Sequence, residues 1–287
     1  HREARHIQPQ RRAGLTPVAV ARRRLDAELV RRGLVATRSE AQSAVRDGLV
    51  LVSGRSASKP STLVDDAAPV ELIGEPRRFA SRGGEKLEAA LERFGLDVGG
   101  RDALDAGAST GGFTDCLLRR GVAHVVAVDV GYGQLAWSLR TDERVTVLDR
   151  TNVRDLRGHD LPYAPGIVVA DLSFISLRLA VPALARVASQ DADLVLLVKP
   201  QFEVGRERVG SGGVVRDADA WRDAILGVAA SASEHGLSPV GVMVSPLPGP
   251  AGNIEFPLHA TVGSREAAAL DVEVALAEGR ALAGVTS

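Results

Sequence analysis

The chain has 287 residues, 45% of them hydrophobic, enough for two domains with at least one sizeable core, which excludes a wholly disordered protein. A net charge of −1 conceals an asymmetry: residues 1–80 carry 15 Lys+Arg against 9 Asp+Glu, and residues 81–287 carry 20 against 27, the distribution of a basic arm that meets a polyanion and an acidic body that does chemistry. A single cysteine, Cys116, excludes an intrachain disulfide and suits the cytoplasm, and no apolar run is long enough for a helical membrane span.

Residues 1–21 show neither helical nor strand periodicity and read as a tag remnant or disordered extension; the apolar stretch Pro17 to Ala21 is too short for a secretory core. From Arg22 to Val30, apolar Leu25, Leu29 and Val30 share one helical face, and Arg32-Gly33 supplies a stop, so a short amphipathic helix is expected. A second helix is expected from Ser39, read as its N-cap, with Ala41, Ala44 and Val45 as the buried stripe before Asp47-Gly48 turns the chain. Leu49 to Val52 is then a strand, Ser53-Gly54-Arg55 a turn, and Ala68 to Ile73 a further short strand.

Helix, turn, helix and short β pieces over about residues 22–74, with Arg and Lys near the turns, resemble the small RNA-binding fold of ribosomal small-subunit protein S-four. The resemblance implies a small α+β RNA-binding domain over residues 22–75 whose candidate phosphate contacts are Arg22, Arg23, Arg24, Arg31, Arg38, Arg46, Arg55 and Lys59. Phe79 is the only aromatic residue among the first 80, so phosphate contact and readout of RNA shape are expected, not base stacking.

Residues 76–82 read as a linker, after which Gly83-Gly84-Glu85-Lys86 opens a helix through Arg93, and residues 83–287 form the second domain. Apolar runs then alternate with helical segments: Ala103 to Ala106, Val125 to Val130, Val145 to Leu148, Ile167 to Ala170, Leu194 to Val198 and Val240 to Val244. Continuously apolar strands separated by helices predict an α/β, doubly wound, Rossmann-like parallel sheet covered on both faces.

Asp105-Ala106-Gly107-Ala108-Ser109-Thr110-Gly111-Gly112-Phe113 follows the first of these strands and precedes a helix expected over Thr114 to Arg120. Glycines there let the backbone approach a ligand, and a helix start offers free N–H groups. Asp129, about 20 residues on at the end of the second strand, is placed to accept hydrogen bonds from a ribose diol. The dinucleotide spacing G-x-G-x-x-G is absent, because position 109 is Ser. Asp105, two residues before the first glycine, instead resembles the first motif of class I methyltransferases, which implies S-adenosyl-L-methionine as cofactor and an acid facing its methionine amino group. By the same resemblance Asp149-Arg150-Thr151-Asn152 falls where the adenine is held, with Asn152 as a cofactor residue. Gly107 to Gly111 also matches the G-x-S-x-G turn of hydrolases, but neither His235 nor His259 stands in a recognisable triad context.

Only Lys59, Lys86 and Lys199 are lysines among the 35 basic residues, which marks them as positions where a titratable amine is required. Lys199 and Asp171 end apolar strands and so lie at the carboxyl edge of the sheet, where open α/β folds bind ligands. Four segments in order, Ser81-Arg82-Gly83-Gly84-Glu85-Lys86-Leu87, Val168 to Leu177 around Asp171, Lys199-Pro200-Gln201-Phe202-Glu203 and Gly252-Asn253-Ile254-Glu255-Phe256, resemble the TlyA (hemolysin A) family of ribosomal RNA 2′-O-methyltransferases, with a catalytic domain similar to the FtsJ type. The resemblance runs from about Arg22 to Leu282 and places a Lys-Asp-Lys-Glu tetrad on Lys86, Asp171, Lys199 and Glu255. It assigns Lys199 to the ribose hydroxyl, as base or as stabiliser of the developing alkoxide; Asp171 would hold Lys199 and face the cofactor, and Lys86 and Glu255 would orient lysine and ribose. It implies cytidines of ribosomal RNA, within ribosomal subunits, as substrate.

Arg206 to Val215, bordered by Gly205 and rich in glycine, reads as a mobile lid, an RNA-contacting loop or a plain flexible loop. The six histidines show no metal-ligand spacing, so no metal is expected. The competing readings are a non-catalytic RNA-binding or ribosome-assembly protein, which would not bind the cofactor, and a membrane-lytic protein, which would need a spanning segment or a strongly amphipathic basic helix.

Overall fold

A computed structural model describes residues 22–35, 37–46, 48–57, 59–73, 78–263 and 270–284. The extension expected over residues 1–21 lies outside them, as do residues 74–77 at the expected domain junction and the side chains of Ser39 and Arg46. The chain separates into two compact units, residues 1–76 and 77–287.

In the first unit, Arg22–Arg24 is a strand, β1, and not the first turn of a helix; α1 covers Leu25–Arg31. β1 pairs antiparallel with β4 (Leu63–Asp65), which puts Arg22 opposite Asp65 and brings Arg23 to Asp66, and this pairing overrides the helical pattern of the sequence. The second helix, α2 (Arg38–Arg46), starts one residue before Ser39, because Thr37 caps it: its hydroxyl accepts the Glu40 N–H at 3.2 Å. β2 (Val50–Val52) lies between β3 (Arg55–Ser56) and β5 (Val70–Leu72) in a three-stranded antiparallel sheet. Leu25, Leu29, Ala41, Val45, Val50 and Val64 fill the small core.

The second unit is built on one seven-stranded sheet. α3 (Gly83–Arg93) leads into β6 (Asp102–Ala106), α4 (Gly112–Arg119), β7 (His124–Val128), α5 (Trp137–Arg140) and β8 (Val145–Leu148). β9 (Ile167–Ala170), α6 (Leu177–Val187), β10 (Asp193–Val198), α7 (Pro200–Glu203), α8 (Ala218–Glu234), β11 (Leu237–Val242), β12 (Phe256–Val262) and α9 (Val272–Ala283) complete it. The strand order is β11-β12-β10-β9-β6-β7-β8; β6 to β10 run parallel, and β12 is antiparallel to both its neighbours. Apolar side chains on both faces, such as Leu104, Val126 and Leu196 on one and Ala103, Val125 and Leu197 on the other, pack beneath the helices. The expected strand at Val240 to Val244 begins three residues earlier as β11, and β12 was not anticipated from the sequence. Phe79 is buried in the core of this unit and Ala80 donates its N–H to Asp115, so the expected linker over residues 76–82 ends before Phe79. Among the described residues no helix is long and apolar enough to cross a membrane.

Candidate active site

The strand order reverses between β6 and β9, and in an open sheet a crevice forms there at the carboxyl ends of the strands. Ala106 and Ala170 are register partners, so the turn that starts at Gly107 and the turn that starts at Asp171 leave the sheet side by side, with Asp171 donating its N–H to the Ala106 carbonyl. A Cβ on Gly107, which has φ +88°, would lie 2.6 Å from the Asp171 carbonyl oxygen, so this glycine is what lets the two turns touch. Antiparallel pairing of Val198 with Phe256 then sets Lys199, just past β10, beside Glu255, just before β12.

Two clefts meet at this edge. The smaller, about 350 Å³, is lined by Lys86, Lys199, Glu255, Asp171, Ser173 and the loop residues Gly107 to Thr110, Gly112 and Phe113. The larger, about 830 Å³, shares Gly107, Ser109, Asp171 and Ser173 and extends past Asp129, Asn152, Val153 and Leu172. The four tetrad positions resolve into two ion pairs. Lys86 Nζ lies 2.5 Å from Glu255 Oε2, both buried, and Lys199 Nζ lies 2.6 Å from Asp171 Oδ1. Lys199 also donates to Ser173 Oγ at 2.9 Å. The expectation that Lys86 and Glu255 would orient Lys199 changes accordingly: they hold each other, and the lysine is held by Asp171 and Ser173.

Each oxygen of Asp129 accepts a backbone N–H, one from Ser109 at 2.8 Å and one from Gly131 at 2.7 Å. A carboxylate offers about four lone-pair sites, so two remain for a diol. Asn152 lines the larger cleft and caps the short turn at Val153–Asp155, accepting the Arg154 N–H at 3.1 Å. Asp149 and Arg150 turn elsewhere, Asp149 to Arg140 and Arg150 to the face of Tyr132. Asp105 and Gly111 line neither cleft. Asp105 is wholly buried beneath the loop, where Thr114 donates to its Oδ2 at 2.6 Å while Oδ1 has no hydrogen-bond partner among the described residues; burial pushes its carboxyl up to about 7. Gly111, at φ +98°, packs so closely on Leu135 and Leu139 that a Cβ would strike both.

A model of FtsJ-like methyltransferases matches residues 79–261, and one of the S4 domain matches residues 23–68. The chain belongs to the FtsJ-like methyltransferase family. It is 55% identical over 82% of its length to 88% of the 16S/23S rRNA (cytidine-2′-O)-methyltransferase TlyA of Mycobacterium tuberculosis. It is 38% identical over 82% of its length to 98% of Hemolysin A of Brachyspira hyodysenteriae. A solved structure described as a hemolysin from Streptococcus thermophilus superposes with a TM-score of 0.72 at 39% identity, covering 92% of this chain and 98% of that one. This FtsJ-like methyltransferase is thus a member of the TlyA family with an S4 domain before its catalytic domain.

Two residues of consequence carried no signal in the sequence. Ser173 sits inside the segment from Asp171 to Leu177 with nothing to mark it, because only the turn after β9 brings its hydroxyl back to Lys199. Glu203, buried, accepts the Leu177 N–H at 2.7 Å and the Ser176 hydroxyl at 2.6 Å, tying the turn after Lys199 to the turn that carries Asp171 and Ser173. Burial holds the Glu203 carboxyl above its usual range. The segment 206–215 is fastened as well. Asn253 accepts the Val215 N–H and donates to the Gly213 carbonyl, Trp221 donates to the Val215 carbonyl, and Arg208 pairs with Asp217 and Asp223. The two histidines weighed for a hydrolase triad line neither cleft: His259 pairs with Asp193 within the sheet and His235 bonds the Ser231 carbonyl.

Proposed function

We propose that this methyltransferase uses S-adenosylmethionine to methylate a ribose 2′-hydroxyl of ribosomal RNA, a cytidine, presented in ribosomal subunits in the cytoplasm. The observation that carries this reading is Lys199, buried in the wall of the smaller cleft with its amine held by Asp171 and Ser173, which line both clefts. Bound S-adenosylmethionine supplies an electrophilic methyl group. The residues present suit that group: Asp129 keeps acceptors for a ribose diol, Val153 and Leu172 give apolar surface for an adenine, and the loop from Gly107 to Gly112 offers backbone next to the shared part of the clefts.

The chain's own work is to align a hydroxyl and manage its proton. A lysine nitrogen has three directions beyond its carbon; the Ser173 hydroxyl takes one as a hydrogen bond, and the Asp171 carboxylate pairs with the charge from 2.6 Å without hydrogen-bond geometry. A remaining direction serves the substrate. As a free amine, Nζ accepts the 2′-hydroxyl proton; as an ammonium, it donates to the oxygen as charge develops there. Lys86 and Glu255, neutralising one another in the wall of the same cleft, give the ribose a donor and an acceptor without adding net charge.

The test is to incubate unmodified ribosomal subunits with the protein and cofactor and to map 2′-O-methyl groups along both RNAs. New methylation at one or a few cytidines is the expected result. Methyl transfer that maps to bases, or none to any RNA, overturns the reading.

A further inference from the structure

The candidate phosphate contacts of the S4 domain are not a row of solvated cations. Asp26 and Glu28, one turn of α1, have side chains that are 0% exposed, and guanidinium groups surround both. Arg24 gives Nε and Nη2 to Asp26 at 3.1 and 2.8 Å, and Arg38 and Gln42 reach the same carboxylate. Arg31 gives Nε and Nη2 to Glu28 at 2.7 and 2.5 Å, Arg32 gives Nε at 2.6 Å, and Arg23 approaches to 4.0 Å. These neighbours hold both carboxyls far below their usual range, Glu28 down to about 2.

Burying two carboxylates in so small a core is an expensive way to gain stability, since desolvation offsets most of the attraction. What it does secure is direction. Arg24 and Arg31 each present one edge of the guanidinium, Nε with Nη2, to the carboxylate; Nη2 of Arg31 also lies 3.1 Å from Asp66 Oδ1, so that Nη1 of each is what remains for another acceptor while the side chain stays 46% and 48% exposed. Arg32 differs: all three of its nitrogens are used, on Glu28, the Ala68 carbonyl and the Asp66 carbonyl, and it is 21% exposed. Arg32 fastens the domain, and Arg24 and Arg31 are held out from it.

We infer that Asp26 and Glu28 are positioning residues for RNA: buried carboxylates that fix Arg24 and Arg31, with Arg23 and Arg38 beside them, as a preorganised array for the phosphates of folded RNA. A flexible arginine loses side-chain entropy when it grips a phosphate; one already clamped along one edge has lost it during folding. The inference rests on the RNA-directed reading of the protein, and it reverses simple electrostatics. Two acidic residues in a basic module strengthen the binding of a polyanion.

The test compares full-length variants for binding to ribosomal subunits over a range of salt. Glu28→Gln and Asp26→Asn each raise the net charge by one, yet are expected to weaken binding by about three- to tenfold, the cost of ordering one rotamer-rich side chain on binding. The plot of log affinity against log salt should become shallower by about 1 for each phosphate that is no longer gripped. Asp65→Asn, which removes an exposed partner of Arg22, makes the same charge change and should bind as well as the unaltered protein or slightly better. Arg31→Lys keeps the charge and the carboxylate but loses the fork, and should weaken binding like Glu28→Gln. Because this variant leaves the buried acid paired, it decides the matter if Glu28→Gln lowers the melting temperature of the domain. Normal or tighter binding by Arg31→Lys, or by folded Glu28→Gln, overturns the inference; failure of the unaltered protein to bind subunits overturns the functional reading instead.

Discussion

Asp129 and Ser109, 20 positions apart, are joined by a hydrogen bond from the Ser109 backbone N–H to the Asp129 carboxylate at 2.8 Å. Ser109 has φ +47°, a conformation that costs a non-glycine residue energy and persists only where its surroundings hold it. The acid proposed to hold a ribose therefore also braces the loop beside it. Asp129→Ala should weaken cofactor binding more than removal of one ligand hydrogen bond would, by about 2–4 kcal/mol when a charged acceptor and its brace go together. Asp129→Asn retains one acceptor oxygen and should fall between. Calorimetric titration with S-adenosylmethionine measures both, and equal affinities for all three proteins would separate the loop from the cofactor.

Lys199→Arg should fold and bind cofactor yet lose methyl transfer by about 10²–10⁴-fold, the usual cost of one positioned acid–base group. Guanidinium is wider than an ammonium and stays protonated, and the slot between Asp171 and Ser173 is built around a single nitrogen. Ser173→Ala, which removes one of the two holders, should slow transfer by roughly tenfold with cofactor affinity unchanged. Lys59→Arg, in the S4 domain, is the control and should be nearly silent. Single-turnover transfer of labelled methyl groups to subunits reads all three, and near-normal transfer by Lys199→Arg would remove the acid–base role.

The buried Asp105 makes stability depend on pH. Its carboxyl is raised from the ordinary aspartate value to about 7 by burial, so the folded protein holds a proton that the unfolded chain releases near pH 4. Between about pH 4 and 7 the unfolded state therefore binds fewer protons than the folded one, and stability falls as pH rises through that window. Asp105→Asn abolishes the titration. The melting temperature of the variant relative to the unaltered protein should rise from pH 5 to pH 8, and a difference independent of pH would show that Asp105 is ionised in the fold.

Removing residues 1–76 should leave cofactor binding intact, because Asp129, Asn152 and the glycine loop all belong to the second unit. Binding to subunits should weaken and lose part of its salt dependence, since the S4 domain's arginines go with it. Cofactor titration and subunit binding of the shortened chain, side by side, check the division of labour.

The parallel strands were legible because strands buried on both faces are written as unbroken apolar runs, and their ends located Asp171 and Lys199 at the right edge of the sheet. β12 escaped notice because Pro257 and His259 interrupt its pattern, and a proline within a run argues against a central strand. The sheet accepts both residues: Pro257 is second in β12, on the side where β11 has already ended and where its carbonyl takes the Met243 N–H, and His259 finds Asp193 at 2.9 Å. The arginines at 22–24 read as the start of a helix, and only their pairing with a strand some 40 residues away made them β1. The tetrad was visible as residue types in order, but its division into two pairs, with Ser173 as a partner of Lys199, depends on distances that no spacing encodes.

The place of β12 bears on how the enzyme comes into being on a ribosome. It enters between β10 and β11, both of which precede it in the chain, and the pair Lys86–Glu255 spans 169 positions. Contacts of that separation form late, after the loops that separate them have been closed. During synthesis every earlier strand, the glycine loop and Lys199 emerge while the inner edge of β10 is still bare and Lys86 has no counter-ion. A nascent chain can thus assemble most of its sheet without assembling its active centre, and competence arrives in one step, with the strand that Glu255 leads in.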